Sequence, residues 1–171
     1  VKRHIALTGF MAAGKTTIGK KLARRLERPF YDLDALVAKD HGPIQAIFET
    51  QGEAAFRSFE FAALKQILQA EPAVIALGGG AVTYAPTFKL LKETAHSVFI
   101  KLSPAQLLVR IRRSRNMRPL LGKAPTASHV EAIYAKRLPL YMQSDVIIEA
   151  ARMTPSRVVE AILEGLRKSG L

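Results

Sequence analysis

Residues 9–17 read Gly9-Phe10-Met11-Ala12-Ala13-Gly14-Lys15-Thr16-Thr17, a complete G-x-x-x-x-G-K-[ST] phosphate loop. The apolar run Ile5–Thr8 leads into it, and a helical pattern (Ile18, Leu22, Leu26) leads out. That strand–loop–helix context gives the motif its structural meaning. The glycines let backbone N–H groups turn inward around a phosphate, and the helix N-terminus adds the positive end of its dipole. Lys15 then reaches the terminal phosphates, and the Thr16 hydroxyl reaches a magnesium ion. A plain glycine turn is the competing explanation. Chance agreement with the whole spacing in 171 residues is on the order of one in a hundred or rarer.

The rest of the chain alternates strands and helices. Short, nearly continuous apolar runs at Ile5–Thr8, Phe30–Asp32, Ala73–Leu77, Ser97–Leu102 and Val146–Glu149 read as strands of a parallel sheet covered on both faces. Helix starts are marked by capping boxes at Thr50-Gln-Gly-Glu53 and Ser128-His-Val-Glu131, and by Ser103-Pro104 and Thr154-Pro155. The expected fold is one α/β domain over 1–171, a three-layer α/β/α arrangement around a five-stranded parallel sheet. The polar segment Asn116–Ala127, with Pro119, Gly122 and Pro125, reads as a mobile loop.

Composition narrows the chemistry. With no cysteine there is no disulfide, thiolate metal site or cysteine nucleophile, which fits a reducing cytoplasm. No apolar run approaches the roughly 20 residues of a membrane span, and no signal-peptide pattern opens the chain. The chain begins at Val1, which leaves room for an initiator residue or a short leader. A net charge of +12 draws in anions such as nucleotides, phosphorylated or carboxylated metabolites, or nucleic acid. Aromatic residues are only 7% and do not interleave with the basic ones, so no stacking platform for nucleic acid is evident. The four histidines show no metal-ligand spacing and read as surface or capping residues.

Asp32 and Asp34 close the second strand. Period-two geometry would send both carboxylates to one side of an extended segment, at the sheet end where ligands bind. One could hold magnesium and the other orient a substrate hydroxyl; a turn acid plus a helix N-cap is the plainer role. The third strand ends in Gly78-Gly79-Gly80, with no magnesium-holding acid after Val74–Leu77, so Asp32 is the candidate metal acid. The three glycines allow close backbone approach to a ligand. Arg57, with Glu60 three residues on, lies on an apolar helix and suits either a carboxylate ligand or an internal pair. Arg137 shares an inward stripe with Val130, Ile133, Tyr134 and Tyr141, as a second anion clamp or a snorkelling side chain; Pro139 should end or kink that helix. Five arginines crowd residues 110–118, and Arg118 heads the loop, placed to neutralise a transferring phosphoryl group.

In order, the phosphate loop, Asp-x-Asp, Phe-Arg-x-x-Glu, Gly-Gly-Gly-Ala-Val, Arg-Pro-Leu-Leu and Lys-Arg-x-Pro-Leu-Tyr resemble shikimate kinases of the bacterial, nucleoside-monophosphate-kinase-like type. The resemblance implies ATP-dependent phosphorylation of the 3-hydroxyl of shikimate by a cytoplasmic monomer, with no nucleic-acid or membrane partner. It implies ATP contacts from Gly9, Ala12, Ala13, Gly14, Lys15, Thr16, Thr17 and Arg118, and magnesium held at Thr16 and Asp32. Shikimate would meet Asp34, Arg57, Gly79, Gly80 and Arg137, with Lys15, Asp34 and Arg118 catalytic. The adenine-stacking arginine falls among Arg110, Arg112 and Arg113, with Arg112 taken for the role and Arg152 as a second adenine contact. A lid over about 113–125 and a substrate-binding helical region over about 33–61 follow from the same likeness. Ala76 stands where relatives often carry a serine or threonine near the metal. The remaining alternatives are another small phosphate-loop kinase, for a sugar acid or a nucleoside monophosphate, and a nucleotide-regulated nucleic-acid-binding protein.

Overall fold

The computed structural model describes residues 2–114, 119–122 and 124–170. Its sheet contains β1 (His4–Thr8), β2 (Phe30–Asp32), β3 (Val74–Ala76), β4 (Ala95–Lys101) and β5 (Val146–Glu149), all parallel in the order β2-β3-β1-β4-β5. Every residue of β1 and β3 is buried. Since alternate side chains leave a strand on opposite faces, both faces of the sheet centre are covered. The edge strand β5 instead alternates buried and exposed residues, with Ile147 turned to solvent.

The helices among the described residues are α1 (Lys15–Leu26), α2 (Leu33–His41), α3 (Ile44–Gln69), α4 (Ala85–Thr94), α5 (Pro104–Arg113), α6 (Ala127–Tyr141) and α7 (Pro155–Lys168). None is long and apolar enough to cross a membrane. The main core runs through β1, β3 and β4 and the helices against them. A smaller cluster of Val37, Ile47 and Phe56 ties α2 to α3.

Two helix starts follow their sequence signals. Ser103 makes a full capping box with Gln106, and Thr154 accepts from the Arg157 N–H. Two do not. The helix expected from Thr50 begins at Ile44 and breaks at Gly52, whose φ of 85° and ψ of 172° only glycine adopts readily. Thr50 lies before that break, inside a helical turn, and its hydroxyl donates to the Ala46 carbonyl instead of capping. Helix α6 starts two residues earlier than Ser128 predicts, because Thr126 is the N-cap and accepts from the His129 N–H. Pro139 sits within α6, which runs two residues beyond it. His4 is no surface residue: it is buried in β1, where its Nδ1 accepts from the Ala73 N–H at 3.3 Å, and burial lowers its pKa.

Candidate active site

The loop between β1 and α1 wraps the N-terminus of α1. Gly14 takes a φ of 95° as the residue before the first helical turn, and Ala12 is held at a φ of 65°, an uncommon position for a residue with a Cβ. Lys15 is nearly buried, and its ammonium donates to the carbonyls of Gly9 (2.8 Å) and Phe10 (2.9 Å). Thr16 donates its hydroxyl to Asp32 Oδ2 at 2.6 Å, while Asp32 Oδ1 accepts from the Ala35 N–H and so caps α2. The expected extended Asp32–Asp34 pair is therefore divided. Helix α2 starts at Leu33, so Asp32 ends the strand and Asp34 stands in the first helical turn. Both still line a cavity of about 590 Å³ together with Lys15, Thr16, Thr17 and Ala76.

A second cavity, about 490 Å³, adjoins the first and shares Met11, Asp34, Ala38, Ile44 and Gly79 with it. Its polar lining comes from Asp34, Gln45, Arg57, Arg137 and the Gly78–Gly80 backbone, and its apolar lining includes Phe48, Phe56 and Leu120. The glycines are demanded by what crowds them. A Cβ on Gly80 would lie 2.1 Å from Arg57 Nη2 and 2.9 Å from Arg137 Nη2. One on Gly78 would lie 2.4 Å from Glu60 Oε1 and 2.6 Å from Asp34 Oδ1. Two guanidiniums thus converge on one backbone point and two carboxylates on another, two residues apart.

Neighbouring groups hold this cluster in place. Arg57 pairs with Glu60 and, at 3.0 Å, with Glu53, so the internal pair and the cavity-facing position coexist in one side chain. The Arg137 guanidinium lies 5.5 Å from the Phe10 ring centroid. Tyr141 donates its hydroxyl to the Gly79 carbonyl, and burial pushes that phenol up to about 12. Arg57 Nε and Arg137 Nη1 are buried and make no hydrogen bond among the described residues. Buried cationic donors with spare capacity suit an anion that brings acceptors, and a carboxylate matches their planar geometry. Glu60 is 1% exposed. Burial pushes its carboxyl up to about 7, assisted by Asp34 and opposed by Arg57.

The other expected residues divide. Arg110 donates to the carbonyls of Ala12 (3.4 Å) and Ala13 (3.3 Å) and lines the phosphate-loop cavity. Arg112, the expected adenine contact, donates to the Pro125 carbonyl at 3.5 Å. Arg152 is exposed in the turn after β5, with a φ of 61°. Arg118 lies outside the described residues, as does part of the expected lid. In the sequence, Glu60 stands out only as a partner for Arg57. Its spacing to Arg57 was the available signal, but its approach to Asp34 depends on α2 folding back over α3.

The profile of the family described as shikimate kinase matches residues 11–167. The chain belongs to the shikimate kinase family. A shikimate kinase of Burkholderia pseudomallei is 38% identical over 170 residues, covering 98% of this chain and 92% of the relative. One from Nitrobacter winogradskyi is 43% identical over 154 residues, covering 90% and 71%. The solved shikimate kinase of Acinetobacter baumannii in complex with shikimate superposes with a TM-score of 0.93 at 33% identity, covering 100% of this chain and 96% of that one. As a member of the shikimate kinase family, the chain is an ATP-dependent kinase that phosphorylates a hydroxyl group.

Proposed function

We propose that this chain transfers the γ-phosphoryl group of ATP to the 3-hydroxyl of shikimate, giving shikimate 3-phosphate and ADP on the route to chorismate and the aromatic amino acids. The observation that carries the reading is the convergence of Arg57 and Arg137 on Gly80, in a cavity that adjoins the phosphate loop. Two arginines fit the single carboxylate of the acceptor, and Asp34, lining both cavities, fits a ring hydroxyl beside it. The relative solved with shikimate supports the same acceptor.

In this reading Arg57 and Arg137 orient the acceptor, and Asp34 accepts the hydroxyl proton as the O–P bond forms. Lys15 and the backbone N–H groups of Ala12–Thr17 stabilise the transferring group while the bridging oxygen leaves with ADP. Arg118 serves as the lid arginine. Arg110, resting on the loop carbonyls, takes the nucleotide-facing role in place of Arg112, and Arg152 is retained as an outer adenine contact. Thr16 and Asp32 would hold magnesium: their hydroxyl and carboxylate oxygens are the hard donors this ion takes, and 2.6 Å brings them to one point. Bound there, the ion would neutralise phosphate charge. The family resemblance further supports a cytoplasmic monomer acting on small-molecule substrates without a nucleic-acid partner.

The test is ADP release from ATP with and without shikimate, beside a panel of sugar acids and nucleoside monophosphates. ADP release that depends on shikimate is the expected result. Equal release without acceptor, or turnover only with another acceptor, overturns the proposal.

A further inference from the structure

Behind the acceptor cavity stands a carboxyl group that does not line it. Glu60 Oε2 accepts from Arg57 Nη1, whereas Oε1 is buried and makes no hydrogen bond among the described residues. Across Gly78 it faces Asp34, and the two carboxylates lie within about 5 Å of each other. The charged groups around Glu60 are Arg57 and Glu53 on its own helix, Asp34 from α2 and Arg137 from α6. The Gly78–Gly80 segment adds no ionisable side chain. Glu53 is half exposed at the rim, where water screens it.

With Asp34 and Glu60 ionised, two carboxylates balance two guanidiniums. A carboxylated acceptor entering against Arg57 and Arg137 adds a third negative charge in buried surroundings, and an unbalanced buried charge is costly. We infer that binding of the acceptor carboxylate is coupled to proton uptake by Glu60, which acts as a positioning residue through Arg57. The inference rests on the reading of this cavity as the site of a carboxylated acceptor. Protonation of Glu60 restores balance and leaves Oε2 able to accept from Arg57. Arg57 then has more of its charge to offer the ligand.

The sign follows from the direction of the Glu60 shift. In the ligand-free protein the carboxyl titrates near 7. The incoming anion raises that midpoint. Below the free midpoint Glu60 already carries its proton and binding takes up none. Above it binding takes up a proton, so acceptor affinity falls as pH rises through 7, by at most about tenfold per pH unit. It levels off above the bound midpoint.

The test is titration calorimetry of the full chain with shikimate in PIPES, HEPES and Tris at one pH just above neutrality. The expected result is a binding heat that varies with buffer ionisation enthalpy in the sense of proton uptake, and an affinity that weakens through neutral pH. Glu60→Gln should abolish the uptake and flatten the pH profile while ATP affinity stays unchanged. The methyl ester of shikimate, which brings no charge, should bind the parent protein without uptake. Shikimate binding in the parent with no buffer dependence overturns the inference by itself, even should the variant not fold. Uptake that persists in Glu60→Gln also overturns it. Absence of shikimate binding in every buffer overturns the proposed acceptor, and the inference with it.

Discussion

Gly80→Ala adds one methyl group at the point where the two acceptor-facing arginines meet. The backbone there has a φ of −104°, so alanine brings no conformational strain and the effect is steric. The new Cβ would stand 2.1 Å from Arg57 Nη2. Restoring an ordinary contact of about 3.5 Å requires that nitrogen to retreat by about 1.4 Å. Arg57 is held by Glu53 and Glu60 and lines the acceptor cavity, so its room to move lies in that cavity. The cost therefore appears as a displaced binding group more than as lost folding stability. Overpacking of this kind costs about 1–3 kcal/mol, and a misplacement of about 1 Å lowers rates by roughly a hundredfold. We expect kcat/KM for shikimate to fall about 30- to 150-fold, equivalent to about 2–3 kcal/mol. The KM for ATP should be unchanged, because the three atoms nearest the new Cβ all belong to the acceptor-facing arginines Arg57 and Arg137. Steady-state kinetics with each substrate varied, beside a thermal melt, measure all three quantities. A folded variant whose shikimate KM equals the parent's would refute the claim that both arginines converge on this backbone point.

Three further outcomes are expected. Asp34→Asn should keep nucleotide affinity, read by ATP titration, and lose about 100-fold or more in transfer rate; near-normal turnover would remove Asp34 from its role. Arg110→Ala should raise the KM for ATP by about tenfold, the equivalent of a charge-assisted contact, whereas Arg112→Ala should not; the reverse ranking would restore Arg112 to the adenine contact. Gly52→Ala meets no neighbouring atom within 4 Å but forces a side chain into glycine-only backbone space. It should cost about 1–3 kcal/mol, lowering Tm by roughly 3–10 °C. A rise in Tm would show that the break in α3 closes into a continuous helix.

What the sequence made legible was local. The phosphate loop, the Ser103 and Thr154 caps and the buried strands each depend on residues within a few positions of one another, and each stands where its pattern put it. The Thr50 box failed because an identical four-residue pattern fits inside a helix when a later glycine supplies the break. The pattern contains no term for the backbone angle at Gly52. Arg110 and Arg112 differ by about 200° around α5, and nothing local says which of the two meets the phosphate loop. Glu60 was the least visible: burial and the approach of Asp34 from α2 raise its pKa against the opposing pull of Arg57 and of Arg137 from α6, and no segment of the chain carries that information alone.

The partition between the two cavities has a thermodynamic consequence. Met11, Asp34, Ala38, Ile44 and Gly79 face both, so the same small wall is seen from either side. A ligand that shifts this wall alters the chamber offered to its co-substrate. The resulting coupling free energy must be equal in both directions: whatever factor a nucleotide imposes on acceptor affinity, the acceptor imposes on nucleotide affinity. Closing that four-equilibrium cycle with ADP and shikimate would measure how stiff the partition is.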